Sequence, residues 1–512
     1  MTDRTQTWAK DLRELTDDHG VDTIINIRPP TDREIRLSPE VEQYLEEQGQ
    51  SGEDLLKAPA VVPPEVDDSL PLTHYFISSS HNTYLLSRQI MGRSSALSYV
   101  HVLWRHARCV EMDVWSSSEG PIVTHGYTLS SSVPFHEVCE AVGTAVRPGD
   151  WPVFVSLECH VGAEGQVTLV DTMRQHWGEK LVSAAVVDPG TEVTPMDLMG
   201  RIVVMVEYYP AEVPPVGGSS SPSNSSTSSN SSDEHVKGPQ LEVKVDKNPP
   251  TITEALAALG LYARSMKPSG DWLAEKLAHP GHILINISES GLSSLLPTHL
   301  NPLVKNSHHH LRRVYPRGTR IHSSNMHPPK FWRTGAQITA LNWQKYDKGT
   351  QFNEAMFVGT PGWVVKPARL LPNAPESFPK ERLTCEIIGL SSLPTSENDS
   401  SMSAYLRAQL HHSGKPLEWR SKTVKCKDLK QRGCADFMWN ETFEFEYEVE
   451  DVTFIRIVIA ENVAYGRDPK KAIFLARVEQ LEEGLRFIRL LNTKGKDTGA
   501  TLLVKVSFIS VE

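Results

Sequence analysis

The sequence lacks the long apolar runs and the cysteine patterns that are typical of membrane-spanning and secreted proteins. No run approaches the roughly eighteen apolar residues of a transmembrane helix, and the opening stretch MTDRTQTWAKDLRELTDDHG has no signal-peptide core. The six cysteines show no CxxC spacing, and core packing is the expected role of Cys109 and Cys159. We therefore expect a reduced, cytoplasmic protein.

An excess of positive charge is also absent. The chain has 52 Lys and Arg against 63 Asp and Glu, so its formal net charge is −11 at pH 7. Such a chain is not attracted as a whole to nucleic acid or to an anionic membrane, and we expect no nucleic acid partner. Contact with a membrane must then come from local apolar loops or local basic patches.

The remaining composition predicts a globular protein with an unusual segment in its middle. The 512 residues suffice for two or three domains, and 39% hydrophobic residues are enough for full cores. Residues 1–69 give a short helix signal at Ser38-Pro39 and then a proline-rich linker. Ten serines lie between Ser219 and Ser232, and residues 211–248 are therefore predicted to be a disordered linker. The linker is a passive connector or, alternatively, a flap or a phosphorylated switch.

Short apolar runs that alternate with helix-like segments predict a barrel on both sides of this linker. Five runs lie in residues 70–210 and three in residues 249–370, and eight strands close a (β/α)₈ TIM-like barrel, an α/β fold. The predicted strands are Tyr75–Ile77, Val110–Val114, Pro121–His125, Val153–Glu158, Arg201–Glu207, His282–Ser288, a strand near Thr319–His322, and Gln337–Asn342.

Polar side chains stand at the ends of the first four predicted strands. They are His81, Asn82, Glu111, Asp113, His125 and Glu158. Glu111 and Asp113 are two apart and so share one face of their strand. Three carboxylates and an amide oxygen are hard ligands, which suit Ca²⁺ better than zinc. Two histidines beside such an ion could transfer protons.

These motifs resemble the phosphoinositide-specific phospholipase C family. SSSHNTYLL, CVEMDVW, THG and SLE resemble its X region, while RVYPRG, SSN, ALNWQ and GWVVKP resemble its Y region. We therefore expect an X half at 70–210 and a Y half at 249–370, separated by the X–Y linker. The resemblance implies a calcium-dependent hydrolase of lipid signalling that cleaves phosphoinositides to diacylglycerol and inositol phosphate through a cyclic phosphate.

The resemblance also implies a role for each candidate residue. The Ca²⁺ ligands are Asn82, Glu111, Asp113 and Glu158. Glu111 is also the general base, His81 stabilises the phosphoryl transition state, and His125 protonates the diacylglycerol oxygen. The residues that bind the head group are Ser288, Arg313 and Tyr315, and the residues that contact the membrane are Ile90, Tyr127 and Leu129, for which ordinary loop packing is the alternative.

One strand end departs from the family pattern. Two lysines, two apart, usually contact the ring phosphates from the fifth strand, but Met205 and Glu207 occupy those positions here. A carboxylate repels a polyphosphate by ~1 kcal/mol or more at a half-buried site. We therefore expect a weakened preference for the bisphosphate. The alternative function is a catalytically weak or inactive scaffold that binds phosphoinositides or proteins through the same fold.

Residues 380–512 change to short, alternating strands, which predict an all-β sandwich. The stretch WNETFEFE resembles a C2 domain, but the loops SENDSSMSAY and AENVAYGRD lack most of the aspartate pairs by which such domains bind calcium. We expect this sandwich to support the barrel. The whole chain is expected to act as a monomer at a membrane surface, with phosphoinositide lipids as partners.

Overall fold

The structure is a computed structural model in which a defined part of the chain is described. The described residues are 2–30, 35–86, 89, 93–126, 130–207, 251–268, 272–273, 281–396, 399–427, 429 and 433–511. Among them, no helix combines the length and the hydropathy that a membrane span requires. The predicted linker at 211–248 and the predicted membrane contacts Ile90, Tyr127 and Leu129 lie outside the described residues.

The first eleven strands form one sheet, most of which is parallel. They are β1 (Tyr75–Ser80), β2 (Cys109–Ser117), β3 (Gly120–Val123), β4 (Val133–Pro134), β5 (Val153–His160), β6 (Ile202–Glu207), β7 (Arg264–Met266), β8 (Ile283–Ser288), β9 (Leu311–Tyr315), β10 (Ile338–Leu341) and β11 (Trp363–Val365). Eight of them, β1, β2 and β5 to β10, pair in parallel, and pairing of β1 with both β2 and β10 closes the barrel.

The helices surround the barrel or lie in the N-terminal segment. They are α1 (Thr2–His19), α2 (Pro39–Glu47), α3 (Gly52–Lys57), α4 (Leu97–Trp104), α5 (Phe135–Ala145), α6 (Ala163–Trp177), α7 (Glu254–Ala257), α8 (Glu289–Asn306), α9 (Pro328–Trp332) and α10 (Lys348–Phe357). The predicted helix after Ser38 is confirmed as α2, because the Ser38 hydroxyl accepts a hydrogen bond from the Val41 amide. Helix α1 was not predicted from the sequence.

The barrel prediction is confirmed, but two of the predicted strands were wrong. Residues 121–125 do not contribute a barrel strand, because β3 pairs antiparallel with β2 and forms a hairpin. Residues 319–322 form turns, and the barrel strand nearby is β9. Strand β9 was missed because its LRRVY sequence looks polar, although Arg312 and Arg313 are both fully buried. The other missed strand, β7, has three residues, which is too short for a pattern.

The side chains that point into the barrel are apolar at one end and polar at the other. On β2, Val110, Met112 and Val114 pack outward against the helices, while Cys109 packs inside with Phe154 and Ile338. Strand β11 crosses antiparallel to β1 and places Trp363 in this inner apolar cluster. The inward residues at the carboxyl ends of the strands, such as Glu111, are polar. The candidate site therefore lies at the end where barrel enzymes place their chemistry.

The C-terminal strands form a separate antiparallel sandwich. They are β12 (Lys380–Pro394), β13 (Ser401–His411), β14 (Leu417–Arg420), β15 (Val424–Lys427), β16 (Cys434–Glu448), β17 (Phe454–Glu461), β18 (Lys470–Arg477), β19 (Gly484–Leu491) and β20 (Asp497–Val511). The sandwich is joined to the barrel by a shared apolar cluster that includes Trp332, Phe352 and Phe454. Arg333 adds an ion pair to Asp451 at 3.1 Å.

Candidate active site

Three carboxylates meet at the carboxyl ends of β2 and β5. The strands are parallel neighbours whose register sets Asp113 beside Glu158, and Glu111 lies two residues before Asp113 on the same face. One oxygen from each of the three groups lies within 4.8 Å of the others. The structure thus brings together the three carboxylates that the sequence analysis assigned to the metal.

Burial and mutual repulsion make two of these carboxyl groups weak acids. Burial, followed by the charges of Glu158 and Glu111, raises the pKa of Asp113 well above its ordinary value. Burial and the charge of Glu111 raise the pKa of Glu158 to about 7. Asp113 Oδ2 accepts a hydrogen bond from the Tyr84 hydroxyl at 2.6 Å, while its buried Oδ1 has no partner among the described residues. Such a cluster fits a hard divalent cation, which would satisfy the unpaired oxygen and offset the repulsion.

Glu111 differs from the other two because it is paired with a buried cation. Arg313 on β9 is fully buried; it donates one hydrogen bond to Glu111 Oε1 and another, at 3.1 Å, to Asn286 Oδ1. Burial opposes ionisation of Glu111, but Arg313, followed by His81 and the Asn82 amide, outweighs it and holds the pKa of Glu111 below its usual value. Arg313 was predicted to hold a ring phosphate. In the structure its guanidinium positions Glu111, a contact that the sequence analysis missed.

His81 and Asn82 extend the carboxylate cluster toward β1. His81 Nε2 lies 3.8 Å from Glu111 Oε2, and the Asn82 backbone amide donates to the same oxygen at 2.7 Å. Asn82 holds a φ of 45°, a left-handed conformation that asparagine tolerates better than most residues. Its side-chain nitrogen donates to Gln89 at 2.6 Å, which leaves the amide oxygen as the atom that can bind a cation. Both residues therefore lie beside the carboxylate cluster.

The His81 ring is oriented by an asparagine that the sequence analysis did not single out. His81 Nδ1 lies 3.0 Å from Asn342 Oδ1, and that oxygen also accepts from Gln89 Nε2 at 3.1 Å. An amide oxygen accepts only, so His81 Nδ1 carries the proton and Nε2 faces Glu111. Burial lowers the pKa of His81 in spite of the nearby Glu111. The signal for Asn342 was its place at the end of a barrel strand, in the motif ALNWQ.

The β2–β3 hairpin brings the segment of His125 to the same end of the barrel. The backbone amide of Thr124 donates to the carbonyl oxygen of Asp113 at 3.1 Å, so His125 directly follows a residue anchored to the carboxylate strand. Trp115 on β2 stacks on His160 with ring centroids 4.1 Å apart. A Cβ atom at Gly126 would lie 2.0 Å from the Trp115 ring, so this close approach requires glycine.

The residues assigned to the head group are mostly engaged in other contacts. The Ser288 hydroxyl caps α8 by accepting a hydrogen bond from the Gly291 amide at 3.1 Å. Tyr315 is half-buried, with Arg313 5.8 Å from its ring centroid. Met205 on β6 is 1% exposed and packs in the inner apolar cluster. Glu207 is the last residue of β6, at the mouth of the barrel, and its charge adds to burial and to Glu111 in raising the pKa of Glu158.

Two family models match the chain and together cover the barrel. The model described as phosphatidylinositol-specific phospholipase C, X domain, matches residues 69–208, and the corresponding Y domain model matches residues 256–369. The two matches are consecutive, and they contain the strands that carry the carboxylate cluster and its partner Arg313.

Curated relatives match the chain well beyond the barrel. The chain is 30% identical over 458 residues to human 1-phosphatidylinositol 4,5-bisphosphate phosphodiesterase delta-3, covering 86% of this chain and 57% of that protein. It is 29% identical over 485 residues to 1-phosphatidylinositol 4,5-bisphosphate phosphodiesterase of Dictyostelium discoideum, covering 86% of this chain and 60% of that protein. The chain thus spans less than two thirds of the length of these relatives.

A solved structure shares the fold of the whole chain. The crystal structure of PLC21 from L. pealei superposes with a TM-score of 0.73 at 20% identity, covering 99% of this chain and 69% of that one. At this identity the likeness shows the fold, which is a barrel followed by a sandwich.

Proposed function

Because the chain belongs to the phosphatidylinositol-specific phospholipase C family, we propose that it is a calcium-dependent phosphodiesterase that cleaves phosphoinositides. The observation that carries this proposal is the cluster of Glu111, Asp113 and Glu158, whose oxygens lie within 4.8 Å of one another beside His81. The curated relatives are named 1-phosphatidylinositol 4,5-bisphosphate phosphodiesterases, which supports a phosphoinositide as substrate.

The proposed reaction is an attack within the substrate. The inositol 2-hydroxyl oxygen bonds to phosphorus, the bond to the diacylglycerol oxygen breaks, and water then opens the cyclic phosphate. Ca²⁺ held by the three carboxylates and the Asn82 amide oxygen would lower the pKa of the attacking hydroxyl and offset charge on the phosphoryl oxygens. The family resemblance assigns the role of general base to Glu111, which Arg313 holds in position and in its ionised form.

The two histidines have different proposed tasks. His81, oriented by Asn342, presents Nε2 beside Glu111 and stabilises charge that builds on the phosphoryl group. His125, carried by the hairpin, gives a proton to the departing diacylglycerol oxygen. Both tasks are assigned by the family resemblance, and the backbone placement of both residues at the same end of the barrel supports them.

The second candidate function is a phosphoinositide- or protein-binding scaffold with little activity. It is favoured by the strand end of β6, where Met205 is packed away and Glu207 adds a negative charge near the mouth. The enzyme is the better proposal, because a scaffold has no use for three buried carboxylates that repel one another.

The test is an assay of water-soluble inositol phosphate released from phosphatidylinositol, its monophosphate and its bisphosphate, with calcium and with chelator. We expect calcium-dependent release of inositol phosphate from at least one lipid. The same assay is run on Glu158→Gln, with Glu164→Gln as the matched control at an exposed residue of α6. Binding of the lipids without any calcium-dependent release would favour the scaffold.

A further inference from the structure

The loop between β1 and α4 carries a buried amide side chain, Gln89, which is 7% exposed. The base of the loop is closed by the hydrogen bond from the Leu86 amide to the Arg93 carbonyl oxygen at 2.9 Å. The Gln89 carbonyl oxygen accepts a hydrogen bond from the Ser130 hydroxyl at 3.1 Å. Among the described residues, the Gln89 side chain forms no hydrogen bond with the three carboxylates or with His81. Any effect of Gln89 on the candidate site therefore passes through other residues.

The Gln89 side chain forms three hydrogen bonds that all depend on the orientation of its amide. Oε1 accepts from Asn82 Nδ2 at 2.6 Å, while Nε2 donates to Asn342 Oδ1 and to Ser323 Oγ, both at 3.1 Å. An amide has one accepting end and one donating end. A flip of Gln89 would set its NH2 group against that of Asn82 and its oxygen against that of Asn342. The orientations of these three amides are therefore coupled.

The accepting end of Gln89 fixes which atom Asn82 presents to the carboxylate cluster. Because Nδ2 of Asn82 is directed to Gln89, Oδ1 is left for the cluster. An amide oxygen ligates a hard cation, whereas an amide NH2 group does not. If Asn82 had no acceptor for Nδ2, it could rotate and present the wrong atom. Gln89 thus selects the orientation of Asn82 that suits a metal ion.

The donating end of Gln89 acts on the asparagine that orients His81. The backbone of Asn342 is held by Asn325, whose Oδ1 accepts from the Asn342 amide at 2.7 Å and whose Nδ2 donates to the Asn342 carbonyl oxygen at 3.1 Å. The Asn342 side chain is held more weakly at its nitrogen, which lies 3.4 Å from the Ser324 carbonyl oxygen. The hydrogen bond from Gln89 therefore keeps Asn342 Oδ1 toward His81 Nδ1, and it favours the tautomer of His81 with the proton on Nδ1.

The third partner, Ser323, fixes Gln89 itself. Ser323 is 2% exposed and holds a φ of 54°, and its hydroxyl oxygen also accepts from Gln344 Nε2 at 3.2 Å. A residue that only tied its loop to the barrel would need no more than this bond. The other two bonds reach Asn82 and Asn342, which are the direct neighbours of Glu111 and His81.

We propose that Gln89 is a positioning residue that sets two parts of the site together. Its oxygen turns the Asn82 amide oxygen toward the metal position, and its nitrogen holds Asn342 and thereby the tautomer of His81. The importance of these two orientations for the reaction rests on the proposed function. The orientations themselves are measured without any lipid.

The first experiment measures calcium binding to the full chain by calorimetry. Gln89→Met keeps an unbranched side chain of similar length and removes both ends of the amide. We expect calcium to bind about tenfold more weakly, since partners that orient a metal ligand typically contribute this much. In an Asn82→Ala background, Gln89→Met should cause no further weakening, because the two residues act through one contact. Gln175→Met, at an exposed residue of α6, is the matched control and should bind calcium as the wild type does.

The second experiment reads the tautomer of His81 from the ¹⁵N chemical shifts of its ring, assigned by comparison with His81→Ala. The spectra are recorded without calcium at about pH 8, where the ring is neutral because burial lowers its pKa. The wild type should have the proton on Nδ1, and Gln89→Met should show a mixture of both tautomers. The wild-type spectrum is informative even if Gln89→Met does not fold.

Four results would overturn the proposal. They are wild-type calcium affinity in Gln89→Met, equal weakening by Gln89→Met with and without Asn82, an unchanged tautomer in Gln89→Met, and a wild-type His81 with its proton on Nε2. In the lipid assay at saturating calcium, Gln89→Met should lower kcat by about tenfold and leave KM unchanged. If the wild type hydrolyses no phosphoinositide, the proposed function fails, while the calcium and tautomer results still decide the role of Gln89.

Discussion

The two sides of the barrel mouth differ in how their polar groups are satisfied. Near β2 and β5, Arg313 neutralises Glu111, while no cation among the described residues forms an ion pair with Asp113 or Glu158. Near β6 and β8, Met205 is packed in the core and the Ser288 hydroxyl caps a helix. The first side keeps negative charge that a metal ion would offset, whereas Met205 and Ser288 on the second side already have contacts within the protein. Substitutions should therefore affect chemistry strongly and head-group preference weakly.

The largest expected effect is the loss of chemistry when His81 is removed. His81→Ala should lower kcat by on the order of a hundredfold or more, because electrostatic and acid–base groups typically contribute this much. The measurement is initial rate at saturating calcium and lipid, with circular dichroism to show that the fold is kept. His309→Ala, at an exposed site in the same fold, is the control and should be near wild type. Near-normal turnover in His81→Ala would show that His81 does not act in the reaction.

The next largest effect is expected at Arg313, whose ion pair with Glu111 has no counterpart at Asp113 or Glu158 in the described residues. Arg313→Lys keeps the charge but loses the guanidinium fork that contacts both Glu111 and Asn286. We expect kcat to fall by about tenfold or more, and the acid limb of the pH–rate profile to move to higher pH, because Glu111 becomes a weaker acid.

The shift of the acid limb distinguishes the positioning of Glu111 by Arg313 from a contact of Arg313 with a ring phosphate. If Arg313 served only the head group, Arg313→Lys would raise KM for phosphorylated lipids and leave the acid limb in place. Arg312→Lys is a useful comparison, since the buried Arg312 donates to Asn306 and backbone carbonyl oxygens and touches none of the three carboxylates. It should lower stability without moving the pH profile.

Calcium dependence should follow the ionisation of Glu158. The pKa of Glu158 is raised to about 7, so its carboxyl group is protonated below that pH and ionised above it. The calcium concentration for half-maximal activity should therefore fall as pH rises through about 7. Glu158→Gln should raise the requirement at neutral pH by about tenfold and flatten its pH dependence. A steep pH dependence that persists in Glu158→Gln would assign the titration to another group, such as Asp113.

The smallest expected effect lies on the head-group side. Glu207→Lys reverses the charge that β6 places near the mouth, and it should favour the bisphosphate over phosphatidylinositol by about threefold to tenfold. The measurement is the ratio of initial rates in matched mixed micelles, with Glu179→Lys as an exposed control. The single substitution is preferable to a change at Met205, because a lysine there would be buried in an apolar cluster. An unchanged ratio would indicate that Glu207 does not face the ring phosphates.

The sequence predicted the barrel, the sandwich and the gathering of the carboxylates, because strand alternation and strand ends are local features. Glu111 and Asp113 could be placed on one face from their spacing alone. The pairing of Arg313 with Glu111 could not be predicted, since it joins residues on β9 and β2 that are far apart in the chain. Strand β9 itself was missed for a related reason: two buried arginines look exposed until their partners are known.

The pairing of Glu111 with Arg313 also has a consequence for the order of events during synthesis. The X half leaves the ribosome first and carries all three carboxylates, whereas Arg313 and the closing strand β10 come from the Y half. Until the chain has grown some two hundred residues beyond Glu111, this carboxylate has no buried cation, and β1 has no partner on its β10 side until β10 is also made. In a nascent X half, burial of the carboxylates without Arg313 would therefore cost free energy. The closure of the barrel by pairing of β1 with β10 joins distant parts of the chain, and such long-range closure is slow. The contact between Arg313 and Glu111 positions the proposed base, and it also makes the finished site depend on β9, one of the last strands of the barrel.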